Sequence, residues 1–339
     1  MKETAKIFVA GHCGLVGSAL VRRLKELGYS NLLLRTRQQL DLTNQLEVRQ
    51  FFGEERPEYI FLAAAKVGGI LANASYPGDF IAQNLQIQTN VIHESYRAEV
   101  RQLLFLGSSC IYPKFAPQPI KEESLLTGPL EETNRPYALA KISGIEMCWS
   151  YNRQYGTRFL AAMPTNLYGP GDRYDLNGSH VIPAMIRKMH EARLSESDQV
   201  VLWGTGTPRR EFLYSADAAD ACVFLMNLPE TKLDTILKAP ALPPMVNVGC
   251  GDDLTIRELS ELIAAVVGFH GKLVFDASKP DGTPRKLLDV GRLETMGWKP
   301  RVRLREGIEM TYEEFLRDNA LDSERRISTG AASTGYREK

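Results

Sequence analysis

Short apolar runs alternate with amphipathic stretches through the first half of this 339-residue chain. The apolar runs span residues 6–11, 31–35, 58–65, 102–108 and 159–166. The stretches between them carry apolar residues at three- and four-residue spacing, which is typical of helices. They span residues 16–28, 45–55, 79–99 and 136–156. Because the runs are apolar throughout, as strands covered on both faces should be, this order predicts a Rossmann-like, doubly wound parallel sheet in an α/β protein.

The character of the sequence changes after residue 166, where loops rich in glycine, proline and aspartate separate shorter elements. We expect residues 1–165 to form a dinucleotide-binding domain to which later segments return. Residues 166–318 should form mainly a smaller C-terminal α/β lobe that binds the substrate. The last stretch, 319–339, is polar and has little to bury, which predicts a flexible tail.

Charge and cysteine content exclude several classes of protein. Lysine plus arginine and aspartate plus glutamate both total 41, so we expect neither a nucleic-acid nor a membrane partner. No apolar stretch approaches the roughly 18 residues of a membrane span, and the first residues lack the apolar core of a signal peptide. Five cysteines without CxxC spacing argue against disulfides and against a metal site. The sequence therefore predicts a cytoplasmic protein.

The first strand runs into 11-GHCGLVG-17, a GxxGxxG at a strand-to-helix junction. Glycines there let the backbone approach a pyrophosphate, and the helix N-terminus stabilises its charge. A purely structural turn is the alternative, but the junction favours a dinucleotide. NAD sites usually carry an acid after the second strand. Arg35 and Arg37 stand there and could pair with a 2′-phosphate, unless they are merely exposed loop arginines. NADP is therefore predicted, with Asp41 as a candidate partner for the adenine amino group.

Tyr137 and Lys141 lie one helical turn apart, and Ser108 follows the fourth apolar run. A phenol, with a reference pKa of about 10, exchanges protons poorly at neutral pH. An ammonium on the same helix face stabilises the phenolate and can hydrogen-bond the nicotinamide ribose. Ser108 would complete a site that polarises a carbonyl group. These three residues predict a reductase.

These motifs resemble the extended short-chain dehydrogenase/reductases over roughly residues 6–316. The most specific stretches are 62-LAAAKVGGI-70, 104-LFLGSSCIYPK-114, 150-SYNRQYG-156, 163-MPTNLYGP-170, 179-SHVIPA-184 and 277-ASKPDGTPRKLLD-289. Within that family the chain is similar to enzymes that convert GDP-4-keto-6-deoxy-D-mannose to GDP-L-fucose. The resemblance implies epimerisation at carbons 3 and 5, followed by NADPH-dependent reduction at carbon 4.

The resemblance also implies roles for single residues. Ser108, Tyr137 and Lys141 would form the reductase triad, and Cys110 with His180 the acid/base pair of the epimerisation. A thiol and an imidazole, with reference pKa values of about 8.5 and 6.5, can both exchange protons near physiological pH. Taken singly, Cys110 would more often be a small buried hydrophobe and His180 a hydrogen-bonded loop residue.

Binding residues follow from the same resemblance. The implied NADP contacts are Gly11, His12, Cys13, Gly14, Leu15, Val16, Gly17, Arg35, Arg37, Asp41, Leu42, Leu106, Gly107, Ser108, Lys141, Pro164, Asn166, Leu167 and His180. The implied GDP-sugar contacts are Asn166, Lys188, Trp203, Arg210 and Asp281. The side chains suit these roles, because the cations Lys188 and Arg210 can bind a diphosphate and the aromatic Trp203 can pack against a ring of the ligand. Taken singly, however, Trp203 would more often be a core residue, and Lys188 and Arg210 would more often be surface residues. At position 13, where this chain has a cysteine, the family often has an arginine that holds the 2′-phosphate. At position 188 this chain has a lysine, which keeps the positive charge of an arginine but lacks its forked guanidinium.

Three alternative functions differ in what they require of these residues. Related 4,6-dehydratases carry a Thr-Asp-Glu run where this chain has Ser109, Cys110 and Ile111, so dehydration is disfavoured. The main alternative only reduces or only epimerises a related GDP-keto-sugar or GDP-keto-heptose, but such relatives tend to lose Cys110 or His180. A non-enzymatic NADP-sensing module is disfavoured because the triad and the thiol are all present.

Surplus apolar surface on the helices at 79–99 and 136–156 predicts a homodimer.

Overall fold

The computed structural model of the chain describes residues 1–175, 179–279 and 281–329. Its strands are β1 (Ile7–Ala10), β2 (Leu32–Leu33), β3 (Tyr59–Leu62), β4 (Gln102–Leu106), β5 (Phe159–Pro164), β6 (Asn166–Tyr168), β7 (Gln199–Trp203), β8 (Arg209–Arg210), β9 (Phe212–Tyr214), β10 (Met245–Val248), β11 (Leu254–Thr255), β12 (Lys272–Asp276) and β13 (Arg285–Lys286). Its α-helices are α1 (Leu15–Glu26), α2 (Gln45–Glu55), α3 (Ile70–Ser75), α4 (Pro77–Arg97), α5 (Arg135–Tyr155), α6 (Val181–Leu194), α7 (Ser215–Met226), α8 (Glu230–Leu237), α9 (Ile256–Val267), α10 (Gly291–Met296) and α11 (Leu304–Thr329).

The main sheet has six parallel strands in the order β10-β5-β4-β3-β1-β2. Strands β1 and β4 are buried along their whole length because helices cover both faces, which explains their unbroken apolar sequence. The predicted doubly wound fold is confirmed, and each of the five predicted strands lies in this sheet. Strand β10 was not located from the sequence, and it reaches the sheet from beyond residue 166 to pair with β5.

Helices α1 and α7 pack together on one face of the sheet, and α4 packs against α2 and α5 on the other. Leu20, Leu24 and Leu225 are fully buried in the first of these layers. Ile92 and Ile145 are fully buried in the second. Helix α7 thus brings residues 215–226 back to the face that carries α1.

The second lobe has its own core between α6, α9 and α11, in which Ile186, Ile263 and Ile308 are fully buried. Strands β7 and β12 form a parallel pair at its edge. A capping box between Thr255 and Glu258 starts α9. Helix α11 continues past residue 319 to Thr329, inside the stretch predicted to be a tail, and residues 330–339 lie outside the described residues.

Gln118 connects the loop after β4 to the second lobe. Its side-chain oxygen accepts a hydrogen bond from the Leu287 N–H at 2.9 Å, and its side-chain nitrogen donates to the Arg285 carbonyl at 3.2 Å. The Ile120 N–H donates to the Leu287 carbonyl at 2.8 Å. Strand β13 is therefore held against the segment that follows the Ser108–Cys110 turn.

The fully buried Glu211 carboxylate joins two other segments at the same boundary. It accepts hydrogen bonds from the backbone N–H groups of Cys250, Gly251 and Leu288 at 2.6, 2.8 and 3.0 Å. These bonds satisfy a charge that would be costly to bury alone.

Across the described part of the chain, no helix is both long and apolar enough to cross a bilayer.

Candidate active site

The glycine loop between β1 and α1 requires its glycines. Gly11 has φ +86°, and a Cβ there would lie 2.7 Å from the Ala64 nitrogen. A Cβ at Gly17 would lie 2.0 Å from the Gly11 carbonyl oxygen. The loop therefore turns tightly and lets α1 pack directly against it, as the GxxGxxG motif predicted.

The N-terminus of α1 fits a phosphate group. Its N-cap residue, Gly14, provides no side-chain hydrogen bond, and the first turn, which contains Leu15 and Val16, has no acidic residue. The first backbone N–H groups of the helix can therefore serve a ligand. Within the loop the Cys13 sulfur is exposed and lies 3.2 Å from the His12 Nε2 atom. Burial lowers the pKa of His12.

The two arginines after β2 differ in how far they are already engaged. Arg35 forms an ion pair with Glu55 at 2.6 Å and lies over the Phe51 ring at 5.7 Å. Arg37 is 72% exposed and approaches Asp41 only to 4.0 Å. Its guanidinium group is thus the more available of the two for a 2′-phosphate.

Asp41 is fixed by its own loop. Its carboxylate accepts hydrogen bonds from the Thr43 N–H at 2.9 Å and from the Thr43 hydroxyl at 2.8 Å. The bond from the Thr43 N–H, mainly, lowers the pKa of Asp41. The side chain is therefore an anionic acceptor, as a partner for an adenine amino group should be.

The remaining predicted cofactor residues gather at the carboxyl ends of the parallel strands, where ligands bind in open α/β sheets. Leu106 ends β4 and Gly107 follows it, whereas Pro164 ends β5 and Leu167 lies in β6, three residues further along. Leu42 is buried in the loop before α2. A Cβ at Gly107 would lie 2.2 Å from the Met163 side chain, so β4 and β5 meet closely beside the site.

Tyr137 and Lys141 lie on the first two turns of α5, which begins at Arg135 and carries Pro136 in its first turn, where proline is tolerated. Lys141 is 3% exposed, and its Nζ donates a hydrogen bond to the Leu106 carbonyl at 2.7 Å. Burial lowers the pKa of Lys141 to about 7. The Nζ also lies 5.8 Å from the centre of the Tyr137 ring.

Tyr137 connects the lysine to the residues after β4. Burial, foremost, and the nearby Cys110 raise the pKa of Tyr137, whereas a hydrogen bond with Ser108 opposes that rise. Ser108 caps the 3-10 turn Ser109–Ile111 by accepting from the Cys110 N–H at 3.2 Å. The structure thus brings Ser108, Cys110, Tyr137 and Lys141 together.

The Cys110 sulfur has two polar neighbours that the sequence analysis missed. The Asn134 side-chain amide lies 3.4 Å from it and the Lys286 ammonium 3.5 Å. Lys286 falls within the family-like stretch 277–289, but nothing in that stretch indicated contact with a residue 176 positions away. Asn134 immediately precedes α5 and gave no distinct signal.

His180 is the N-cap residue of α6 and comes from the second lobe. His180 is exposed, yet the surrounding protein partly desolvates its imidazole, and this desolvation lowers the pKa of His180. Among the residues that the structure describes, it forms no hydrogen bond with Ser108, Cys110, Tyr137 or Lys141. Contacts link those four residues to one another, and in the described part of the chain no hydrogen bond links His180 to them.

The predicted substrate residues form two groups. Trp203 is 47% exposed, and the ammonium groups of Lys188 and Lys279 each lie 5.7 Å from its ring centre. Sequence reasoning missed Lys279. Asn166, in contrast, uses its side-chain amide to donate to the Glu211 carbonyl at 2.8 Å.

Arg210 and Asp281 make up the second group. Arg210 donates to the carbonyls of Arg209 and Asp281 at 2.8 and 3.3 Å, and burial lowers the pKa of Arg210. Both Asp281 carboxylate oxygens accept from Thr205, each at 2.8 Å. Asp281 therefore holds the loop after β7. The Arg210 guanidinium, in contrast, interacts electrostatically with Cys110.

The chain is similar to several known proteins along most of its length. A GDP-L-fucose synthase from Arabidopsis thaliana is 56% identical over 316 residues, covering 93% of this chain and 94% of that protein. One from Escherichia coli (strain K12) is 54% identical, covering 92% and 96%. A GDP-mannoheptose C4 reductase from Campylobacter jejuni, solved with NADP bound, is 41% identical with a TM-score of 0.83, covering 93% and 99%. The model of the NAD dependent epimerase/dehydratase family matches residues 7–249, and the chain belongs to that family.

Proposed function

We propose that this protein converts GDP-4-keto-6-deoxy-D-mannose to GDP-L-fucose, as a 3,5-epimerase and an NADPH-dependent 4-reductase. One observation carries the proposal. A thiol, Cys110, adjoins the Ser108, Tyr137 and Lys141 cluster, so a proton-exchanging group and a carbonyl-reducing group serve one site. The identity of more than half of the aligned positions with two GDP-L-fucose synthases supports the same reaction.

NADP fits the residues at the carboxyl end of the sheet. The uncapped N-terminus of α1 would bind the pyrophosphate, and Arg37 would bind the 2′-phosphate. When bound, the reduced cofactor supplies the hydride for carbon 4. Ser108 and Tyr137 would donate hydrogen bonds to the keto oxygen, and Tyr137 would then release its proton to that oxygen. A charged Lys141 would stabilise the resulting phenolate.

The epimerisation depends on acidic hydrogens at carbons 3 and 5, the neighbours of the keto group. Cys110, from the first lobe, and His180, from the second, would exchange protons with these carbons. Each inversion requires removal of a proton on one face and return of a proton on the other. Ser108 and Tyr137 would hold the enolate oxygen meanwhile, because they already bind the keto oxygen.

The second lobe would bind the GDP portion. We assign residues 1–165 mainly to the cofactor and 166–318 mainly to the sugar nucleotide. Trp203 offers an exposed aromatic face for a planar ring, and Lys188 and Lys279 flank it with positive charge. Arg210, which interacts electrostatically with Cys110, would bind the diphosphate next to the reacting sugar.

The decisive test is incubation with GDP-4-keto-6-deoxy-D-mannose in D2O, with and without NADPH. We expect deuterium at carbons 3 and 5 under both conditions, and GDP-L-fucose only with NADPH. NMR and mass spectrometry of the sugar nucleotide report both results. Oxidation of NADPH without deuterium at either carbon would contradict the epimerase assignment.

A second candidate is reduction at carbon 4 of a GDP-keto-heptose without epimerisation. The similarity to the Campylobacter jejuni C4 reductase favours it. The presence of Cys110 and His180 favours the bifunctional reaction instead. The same D2O experiment with a GDP-4-keto-heptose distinguishes the two, because a plain reductase would oxidise NADPH and incorporate no solvent deuterium.

We further propose that the enzyme is a cytoplasmic homodimer. Leu139 and Tyr155 on α5 are 38% and 45% exposed, and Tyr155 stacks on Tyr96 of α4 with ring centres 4.2 Å apart. Pairing α4 and α5 with those of a second copy would cover this apolar surface. All five cysteines are free thiols, which suits a reducing compartment. Sedimentation equilibrium measures the oligomeric state, and a monomer at micromolar concentration would contradict the assignment.

A further inference from the structure

The ammonium group of Lys286 lies 3.5 Å from the Cys110 sulfur, although the two residues belong to different lobes. Lys286 is half-buried in β13, so its side chain is less free to move into solvent than a surface lysine. A thiolate next to a lysine is stabilised relative to the thiol. The contact is therefore chemically significant for a cysteine that exchanges protons.

The backbone of Lys286 is fixed on both sides. Gln118 bonds the Arg285 carbonyl and the Leu287 N–H, the groups that flank Lys286 along the chain. Strand β13 also pairs with β8, where Lys286 is in register with Arg210. These contacts fix the backbone of Lys286 while its ammonium lies beside the thiol.

Other ionisable groups also face Cys110. Tyr137 of α5 and Arg210 of β8 interact with it electrostatically, and Glu131 lines the same pocket as Cys110 and Lys286. Glu131 is 8% exposed, accepts hydrogen bonds from Thr133, and lies 3.8 Å from the Lys114 ammonium. Of these groups, only Lys286 has a charged atom within hydrogen-bonding distance of the sulfur among the described residues.

We propose that Lys286 is a positioning residue that stabilises the thiolate of Cys110 and so sets the pH range in which Cys110 exchanges a proton with the sugar. The catalytic half of this inference rests on the proposed epimerase function, whereas the effect on the thiolate does not. When the thiolate removes a proton from carbon, the S–H bond forms and the electron pair of the C–H bond passes to the enolate. Lys286 keeps its own proton throughout.

Alkylation with iodoacetamide tests the thiolate directly and needs no sugar. The thiolate displaces iodide, and mass spectrometry of the Cys110 peptide gives the rate at each pH. In Lys286→Met we expect the profile to move to higher pH by about one unit or more, and in Lys286→Arg we expect it to stay near that of the unmodified protein. Exposed Cys13 in the same digest is the internal reference. Lys238→Met removes a remote, exposed charge and should change neither profile.

The sugar reaction supplies the second measurement. In Lys286→Met the pH profile of deuterium incorporation should move with the alkylation profile, while NADPH affinity stays unchanged. If Cys110 has the same pH profile of alkylation in Lys286→Met and in the protein with Lys286, the inference is overturned. A shifted alkylation profile with unshifted deuterium incorporation would overturn its catalytic half. If even the unmodified protein incorporates no deuterium, the proposed function fails, and a shifted alkylation profile still supports the effect of Lys286 on the thiolate.

Discussion

The Lys141 ammonium donates a hydrogen bond to the Leu106 carbonyl at 2.7 Å, and this bond joins the reductase helix to the end of β4. It fixes the side chain one turn from Tyr137. It does not fully compensate for the loss of water, since burial lowers the pKa of Lys141 to about 7. The protein thus keeps a destabilising lysine at the position where the proposed chemistry requires a cation.

Lys141→Met should abolish most of the reduction and flatten the pH dependence of stability. Because the folded pKa of Lys141, about 7, lies below the unfolded value of 10.5, the unfolded chain binds more protons between these values. The free energy of unfolding should therefore rise with pH in that window, by up to about 1.4 kcal/mol per pH unit. The variant should lack this rise, and its reduction rate should fall by about a hundredfold.

Urea unfolding at pH 7.5 and at pH 9 measures the difference between the unmodified protein and Lys141→Met. Lys238→Met is the matched control, because Lys238 is 75% exposed and should leave the pH dependence unchanged. Equal pH dependence in the unmodified protein and Lys141→Met would mean that the lysine is not desolvated.

Cys110→Ser should block epimerisation and leave NADPH binding intact. A serine hydroxyl is too weak an acid to replace the thiol, so deuterium incorporation should fall by about a hundredfold or more. Proton NMR in D2O measures incorporation, and fluorescence titration measures NADPH affinity. Cys250→Ser, at a partly buried thiol on the loop after β10, is the control. Normal incorporation by Cys110→Ser would remove this thiol from the mechanism.

Arg37→Met should reduce the preference for NADPH over NADH more than Arg35→Met does. Arg37 is exposed and weakly engaged, whereas the Arg35 guanidinium is paired with Glu55. Loss of a charged hydrogen bond to the 2′-phosphate should cost about tenfold to a hundredfold in that preference. The ratio of kcat/KM values for the two cofactors measures it. A larger loss in Arg35→Met would reverse the assignment.

Leu139→Glu should convert the proposed homodimer to a monomer. The substitution places a charge on the exposed face of α5, where a second copy would bury it. Sedimentation velocity should show a shift to half the mass, with the far-UV circular dichroism spectrum retained. Leu194→Glu, at an exposed leucine that ends α6, serves as the control and should not change the mass.

The sequence predicted the sheet and the proximity of Tyr137 to Lys141 because both depend on short-range patterns. Unbroken apolar runs identify strands that are covered on both faces, and Tyr137 and Lys141 meet through the period of one helix. Strand β10 was missed because it pairs with β5 in the main sheet although residues 165–244 separate the two strands in the sequence. The contacts of Cys110 with Lys286, and of Arg35 with Glu55, likewise depend on how distant segments pack. A sequence pattern could therefore mark Arg35 as a cation but could not show that its charge was already paired.

Gln118 has a consequence for the modularity of this enzyme. Because one side chain bonds both residues beside Lys286, the surroundings of the thiol belong to neither lobe alone. A chimera that joins residues 1–165 to the second lobe of a distant relative would retain the glycine loop and the tyrosine–lysine pair. It would exchange the cation beside Cys110 for whatever the donor carries there. Substrate specificity and proton chemistry are thus inherited together in this architecture, whereas cofactor binding can be inherited separately.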